Sequence, residues 1–334
     1  MTEKQHITDS FDRVHDYLRI SLTERCNLRC FYCMPEEGIE LSEKSHVLSH
    51  EEVIYLAKEF VALGVNKIRL TGGEPLVKKN VEKIIRELAD LPIQLSITTN
   101  GILLDKYLPL LKECGVKKLN ISLDTLDREK FNYLTRRDYF DRVMANIYQS
   151  LLHGFEVKIN AVLMTGVNES EVVDFIEFTR NNPVSFRFIE FMPFDGNQWD
   201  TSKVVTFDHI FDQIGRHYQQ DQVIKLEDKK HDTTKNYKIK GYQGSFGIIS
   251  TVTNPFCDSC NRIRLTANGR IKNCLFSQTE TDLLTPLRAG EDVKPIILQS
   301  VNHKAKARGG MEHNEDFYNK EINTKNRAMI SIGG

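Results

Sequence analysis

The sequence has almost no net charge: 45 Lys and Arg stand against 46 Asp and Glu, a formal −1 over 334 residues. That excludes the global basic field that non-specific nucleic-acid binders use, so no nucleic acid is expected as a partner. An anionic ligand would have to be held by a local arrangement of Arg and Lys. Long apolar runs are missing as well. None approaches the roughly 18 residues of a membrane-spanning helix, so no membrane partner is expected. The polar stretch Met1 to Asp16 has no apolar h-region, which favours a cytoplasmic location over secretion. There is no long repeat or low-complexity tract. Cysteine is scarce, seven residues, and odd in number. Six of the seven fall into two groups of three, which favours metal or cluster ligation over disulfides. The seventh, Cys114, ends a helical stretch and reads as packing.

Cys26, Cys30 and Cys33 are spaced C-x3-C-x2-C. Thiolates so close together point to a metal or an iron–sulfur cluster. A cubane normally takes four thiolates, so three leave one iron with an open position. A structural zinc knuckle is the plainer alternative. Cys257, Cys260 and Cys274 repeat the theme as C-x2-C-x13-C, with no histidine between them to complete a zinc site.

Between these groups runs an alternating pattern. Strands are expected at Tyr17–Ser21, Lys67–Thr71, Gln94–Thr99, Lys118–Ser122, Glu156–Val162 and Ser185–Glu190. Helices are expected from Ser49 to Gly64, Val81 to Leu88, Asp105 to Cys114, Asp127 to about His153, and Glu169 to Asn181. Six such units suit an α/β fold with a partial (β/α)6 barrel and a C-terminal extension. The division falls at 10–228 and 229–334. In parallel α/β folds the site lies at the C-terminal ends of the strands. The first cysteine loop, Gly72-Gly73-Glu74-Pro75, Thr99-Asn100-Gly101, Asp124 and Met192 all fall there. Paired glycines allow close backbone approach, and Glu74 would offer an acceptor to an ammonium group. Lys158 and Arg187 are charges in otherwise apolar strands and are read as facing a ligand. Arg262 and Arg264, two apart, would share one side of an extended segment and could join Arg19 in a cationic patch. Lys304 to Arg308 reads as a solvated basic face, and Gly333-Gly334 by default as a frayed end.

The first cysteine triplet followed by Gly72-Gly73-Glu74-Pro75 resembles the radical S-adenosylmethionine (SAM) superfamily. The second triplet, with Asn261-Arg262-Ile263-Arg264-Leu265 and the Gly-Gly end, narrows the resemblance to the GTP 3′,8-cyclase family, which opens molybdenum cofactor biosynthesis. Two departures stand out: Phe11-Asp12-Arg13 lacks the family's frequent glycine before the arginine, and Glu24 replaces an Asp.

The resemblance implies two 4Fe–4S clusters, one on Cys26, Cys30 and Cys33 and a substrate-facing one on Cys257, Cys260 and Cys274. It implies SAM lined by Tyr32, Gly73, Ser122 and Met192. GTP would be held by Arg19, Arg69, Thr98, Lys158, Arg262, Ile263 and Arg264. Arg262, Arg264, Gly333 and Gly334 would serve catalysis. The implied reaction removes hydrogen from the ribose C3′, which then attacks guanine C8, giving (8S)-3′,8-cyclo-7,8-dihydroguanosine 5′-triphosphate. Implied partners are an electron donor and a downstream cyclic pyranopterin monophosphate synthase; whether the chain forms a homodimer stays open. The alternatives are a peptide-modifying radical SAM maturase and a non-enzymatic zinc-stabilised binding module.

Overall fold

A computed structural model describes residues 6–35, 37–311, 316–317 and 326–333. Its six parallel strands have the expected bounds to within a residue: β1 Tyr17–Ser21, β2 Lys67–Thr71, β3 Gln94–Thr99, β4 Lys118–Ser122, β5 Glu156–Leu163 and β6 Ser185–Glu190. They pair in sequence order, each parallel to the next, with helical connections between them. The sheet continues at both edges. Beyond β6 lie β7 Val223–Lys225, β8 Lys235–Ile239 and β9 Ser245–Ile249, with β9 parallel to β6. Beyond β1 lie β10 Arg262–Leu265, β11 Arg270–Lys272 and β12 Thr281–Asp282, with β10 parallel to β1. The chain after Gln220 thus adds strands at both edges of what is, among the described residues, one twelve-stranded sheet.

Period-two patterning divides the sheet's faces. In β5, Val157, Ile159, Ala161 and Leu163 are buried, while Lys158, Asn160 and Val162 alternate with them. The apolar face packs on the helices in one continuous core. The opposite face is polar and lines a single cavity of about 660 Å³ reached by side chains of β1 to β6, β10 and β11.

Helix α1, His50–Ala62, opens on a capping box: Ser49 accepts from Glu52 N while the Glu52 carboxylate accepts from Ser49 N. Then follow α2 Val81–Ala89 and α3 Leu104–Glu113. The single helix expected from Asp127 to His153 is two, α4 Arg128–Thr135 and α5 Phe140–Leu152, broken where Arg136 turns left-handed (φ +56°). The break frees the last carbonyls of α4, and the cysteine loop uses them: Arg29 N donates to Thr135 O and Phe31 N to Leu134 O. The expected helix Glu169–Asn181 opens as a 3-10 turn, Glu169–Glu171, continues as α6 Val172–Phe178 and ends three residues early; at the join Glu171 turns its carboxylate to Thr125 and the Leu126 amide. Among the described residues the later helices are α7 Phe207–His217, α8 Leu284–Arg288 and α9 Lys294–Asn302, with a short turn of helix at Met329–Ile332. Asp12 has φ +59°, so the missing glycine's position is a left-handed one, which Asp tolerates better than most residues.

Candidate active site

The first cysteine loop is held from three sides. Gly73 N donates to Thr23 O at 2.7 Å and Glu74 N to Arg25 O at 2.8 Å. A Cβ at Gly73 would stand 2.4 Å from Arg25 O, so no other residue fits. Asn100 Nδ2 donates to Asn27 Oδ1 at 2.7 Å, and Tyr32 Oη to Asp124 Oδ2 at 2.5 Å. Glu74 differs from expectation. Its carboxylate is buried and accepts from Leu76 N, Thr99 Oγ1 and Asn100 N, so it ties the loop after β2 to the end of β3. Desolvation pushes its pKa up to about 7.

Burial pushes the thiol of Cys26 up to about 11 and that of Cys33 up to about 12, and Cys30 also rises. Bare thiolates are therefore unfavourable here, and a bound cationic centre would supply the missing stabilisation. The second triplet is different. Burial raises the Cys260 thiol, but Arg262 and Lys304 outweigh it and bring it down to about 6. Arg308 N donates to Cys257 Sγ and Lys304 Nζ to Cys260 Sγ, both at 3.4 Å. The run Lys304 to Arg308 is thus no solvated face at its ends: Lys304 and Arg308 are buried against the second triplet.

All six cysteines line the one cavity, and none is in a disulfide. Among the described residues no three His, Cys, Asp or Glu side chains stand close enough to share one metal ion. A zinc site needs its thiolates converging at about 2.3 Å on a single ion. A cubane spreads its thiolates over different irons, and two sets of three free thiols are a donor set that such clusters accept.

Between the triplets lies a belt of cations. Strand register sets Arg19 of β1 beside Arg69 on one side and Arg264 on the other, with Tyr17 beside Arg262. Lys158 and Arg187 come from β5 and β6. Among the described residues lining the cavity, eleven Lys and Arg face three carboxylates, which reverses the balance of the chain as a whole. Burial and mutual repulsion lower the pKa of Lys158 and of Arg264. Burial, then Arg187, brings Lys158 down to about 7; burial, then Arg262, brings Arg264 to about 10. Thr98 Oγ1, both polar atoms of the Asn120 amide, Asn160 Oδ1 and Arg187 Nε are buried on this belt with no partner among the described residues. Buried polar atoms left unpaired are costly, and their clustering marks a place for a polar ligand.

Tyr32, Gly73, Ser122 and Met192 line the cavity, as do Arg19, Arg69, Thr98, Lys158, Arg262 and Arg264. Ile263 does not: its side chain is fully buried in the apolar core, because it alternates with the two arginines. Gly333 is brought to the site, its carbonyl accepting from Arg264 Nη1 at 2.7 Å; Gly334 lies outside the described residues. Asn120, Asn160 and Lys272 join the lining without having been singled out. Polar residues recurring at every second position of β4 and β5 were the signal.

Residues 20–179 match the Radical SAM superfamily, and residues 184–309 match Molybdenum Cofactor Synthesis C. A mitochondrial GTP 3′,8-cyclase of Arabidopsis thaliana is 49% identical over 98% of this chain and 83% of its own length. A GTP 3′,8-cyclase of Peptoclostridium acidaminophilum is 40% identical with both chains covered in full. The chain spans about half, 51%, of the molybdenum cofactor biosynthesis protein 1 of Homo sapiens, at 44% identity. Among solved structures, Streptococcus suis SuiB bound to S-adenosylmethionine superposes with a TM-score of 0.65 over 96% of this chain and 78% of its own, at 15% identity, which speaks for the fold. No described helix is long and apolar enough to cross a membrane. The chain belongs to the GTP 3′,8-cyclase family of the radical SAM superfamily.

Proposed function

We infer that this chain is a radical SAM cyclase that converts GTP to (8S)-3′,8-cyclo-7,8-dihydroguanosine 5′-triphosphate, the first step of molybdenum cofactor biosynthesis. The observation that carries the reading is the sharing of one cavity by two cysteine triplets and the cationic belt between them. Cys26, Cys30 and Cys33 would hold one 4Fe–4S cluster, and Cys257, Cys260 and Cys274 a second. The clusters and SAM supply the one-electron chemistry that activates the ribose C3′.

The chain's own residues do the positioning. Arg19, Arg69, Lys158, Arg262 and Arg264 neutralise the triphosphate. Thr98, with Asn120 and Asn160, offers neutral hydrogen bonds that fix its orientation. Tyr32, Gly73, Ser122 and Met192 border SAM. Enclosure within the sheet keeps bulk water from the reacting atoms. In this reading the six central units form a partial barrel, and residues 229–334 complete its mouth with the auxiliary-cluster and GTP-binding region. A cytoplasmic location, an external electron donor and hand-over of the product to a cyclic pyranopterin monophosphate synthase belong to the same proposal. A peptide substrate would leave most of the cationic belt unused.

Anaerobic incubation of the iron-reconstituted protein with GTP, SAM and a reductant tests the reading. Mass analysis is expected to find 5′-deoxyadenosine and a cyclised isomer of GTP in step. Two bound zincs and no iron, or SAM cleavage that ignores GTP, would overturn it.

A further inference from the structure

Lys304 follows α9 and is 3% exposed. Its Nζ donates to Arg262 O at 2.9 Å and to Cys260 Sγ at 3.4 Å. Of these two acceptors only the sulfur can carry negative charge. A buried ammonium is unfavourable unless it is paired, so the Cys260 thiolate is its counter-charge. The neighbouring backbone is fastened in place from the other end of the chain. Arg13 Nη1 donates to Lys306 O at 2.6 Å and to Cys257 O at 2.8 Å, and its Nη2 donates to Ala305 O at 3.0 Å. Arg13 Nε is held by Asp9 at 2.6 Å, and Asp9 also meets the ring of His15 at 3.0 Å. The segment 304–308 and the Cys257 loop are thereby clamped together by one guanidinium. Cys26 shows no comparable contact: its sulfur accepts from Leu28 N and faces Asn100 Nδ2, both neutral donors.

We propose that Lys304 is a positioning residue that tunes the second cluster, its ammonium bonded to the Cys260 thiolate and clamped there by Arg13. The inference rests on Cys257, Cys260 and Cys274 holding that cluster. One-electron reduction adds negative charge to a cluster, and a cationic donor on a ligating sulfur favours the reduced form, raising the reduction potential. An asymmetry follows between the two sites. The first, with neutral donors at Cys26, is biased towards low potential. The second, where Lys304 joins Arg262 beside Cys260, is biased upwards.

The experiment uses the full chain with Cys26, Cys30 and Cys33 replaced by Ala, so that all bound iron and its electron paramagnetic resonance belong to the second triplet. Potentials are measured by anaerobic redox titration for this background, for Lys304→Met and for Lys304→Arg, with iron counted in each. Lys304→Met is expected to lower the potential, and Lys304→Arg to restore most of the shift, at equal iron content. Loss of iron in Lys304→Met alone, with Lys304→Arg loaded and near the background potential, equally supports the charge pairing. An unchanged potential in fully loaded Lys304→Met overturns the inference. So does equal loss of iron in both variants, which would make the lysine a prop for the loop. A background protein that binds no iron overturns the second-cluster reading, and this inference with it.

Discussion

Lys158 is the residue whose charge is most open to control by the ligand. Burial and Arg187 hold it at about 7 in the free protein, so at pH 8 it is mostly neutral. A triphosphate beside it stabilises the charged form and raises its pKa. Between the free and bound values the complex holds the extra proton, so binding takes up a proton and weakens as pH rises through that interval. Calorimetry at pH 8 in buffers of different ionisation enthalpy should show uptake approaching one proton per GTP, and Lys158→Arg should abolish that share. Identical apparent enthalpies in all buffers would remove Lys158 from the phosphate site. Arg262 and Arg264 are less tunable and contribute more directly. Each charge-assisted contact is worth about 1.5–3 kcal/mol. The double variant Arg262→Ala, Arg264→Ala should therefore lose roughly a hundredfold or more in GTP affinity with SAM binding retained. Unchanged GTP binding would show that the patch serves something else.

At the scale of elements, the tail and the strand ends decide what is organised. Met329–Ile332 lays Ile330 against Met34 of the cysteine loop and brings the Gly333 carbonyl to Arg264. A Cβ at Gly333 would meet Thr71 Oγ1 at 2.4 Å, and its φ of +79° is one that side chains disfavour. Removing Gly333 and Gly334 leaves both cysteine triplets untouched, so iron content should stay at about eight per chain while cyclisation falls away. Wild-type product yield from the truncated protein would make the tail an inert end. These elements also show what could be read in advance. The six parallel strands and the start of a helix at Ser49 were legible because period two, period 3.6 and helix-start chemistry are local. The break at Arg136 was not. It exists because the cysteine loop, a hundred residues earlier, takes the freed carbonyls of Leu134 and Thr135. Lys304 was misread for the same reason: a basic run looks solvated until the fold sets it against Cys260.

Over the whole molecule, the apolar core and the reactive cavity occupy opposite faces of one sheet. The core is built from the outward residues of the strands and the helices packed on them, with Cys26 and Cys30 touching only its margin. Folding energy therefore comes mainly from apolar burial, unlike small metal-dependent domains in which metal binding is the folding energy. The cluster loops, by contrast, carry buried thiols that burial disfavours in ionised form, together with a belt of mutually repelling cations. Removing iron should accordingly leave the strands β1 to β6 intact and loosen the two cysteine loops and the 304–308 segment. Hydrogen exchange on the chelated protein is expected to show wild-type protection in β1 to β6, with faster exchange at the amides of 26–34 and 257–261. Far-ultraviolet circular dichroism should change little. Global loss of protection on chelation would mean that the clusters, and not the outward face of the sheet, hold the fold together.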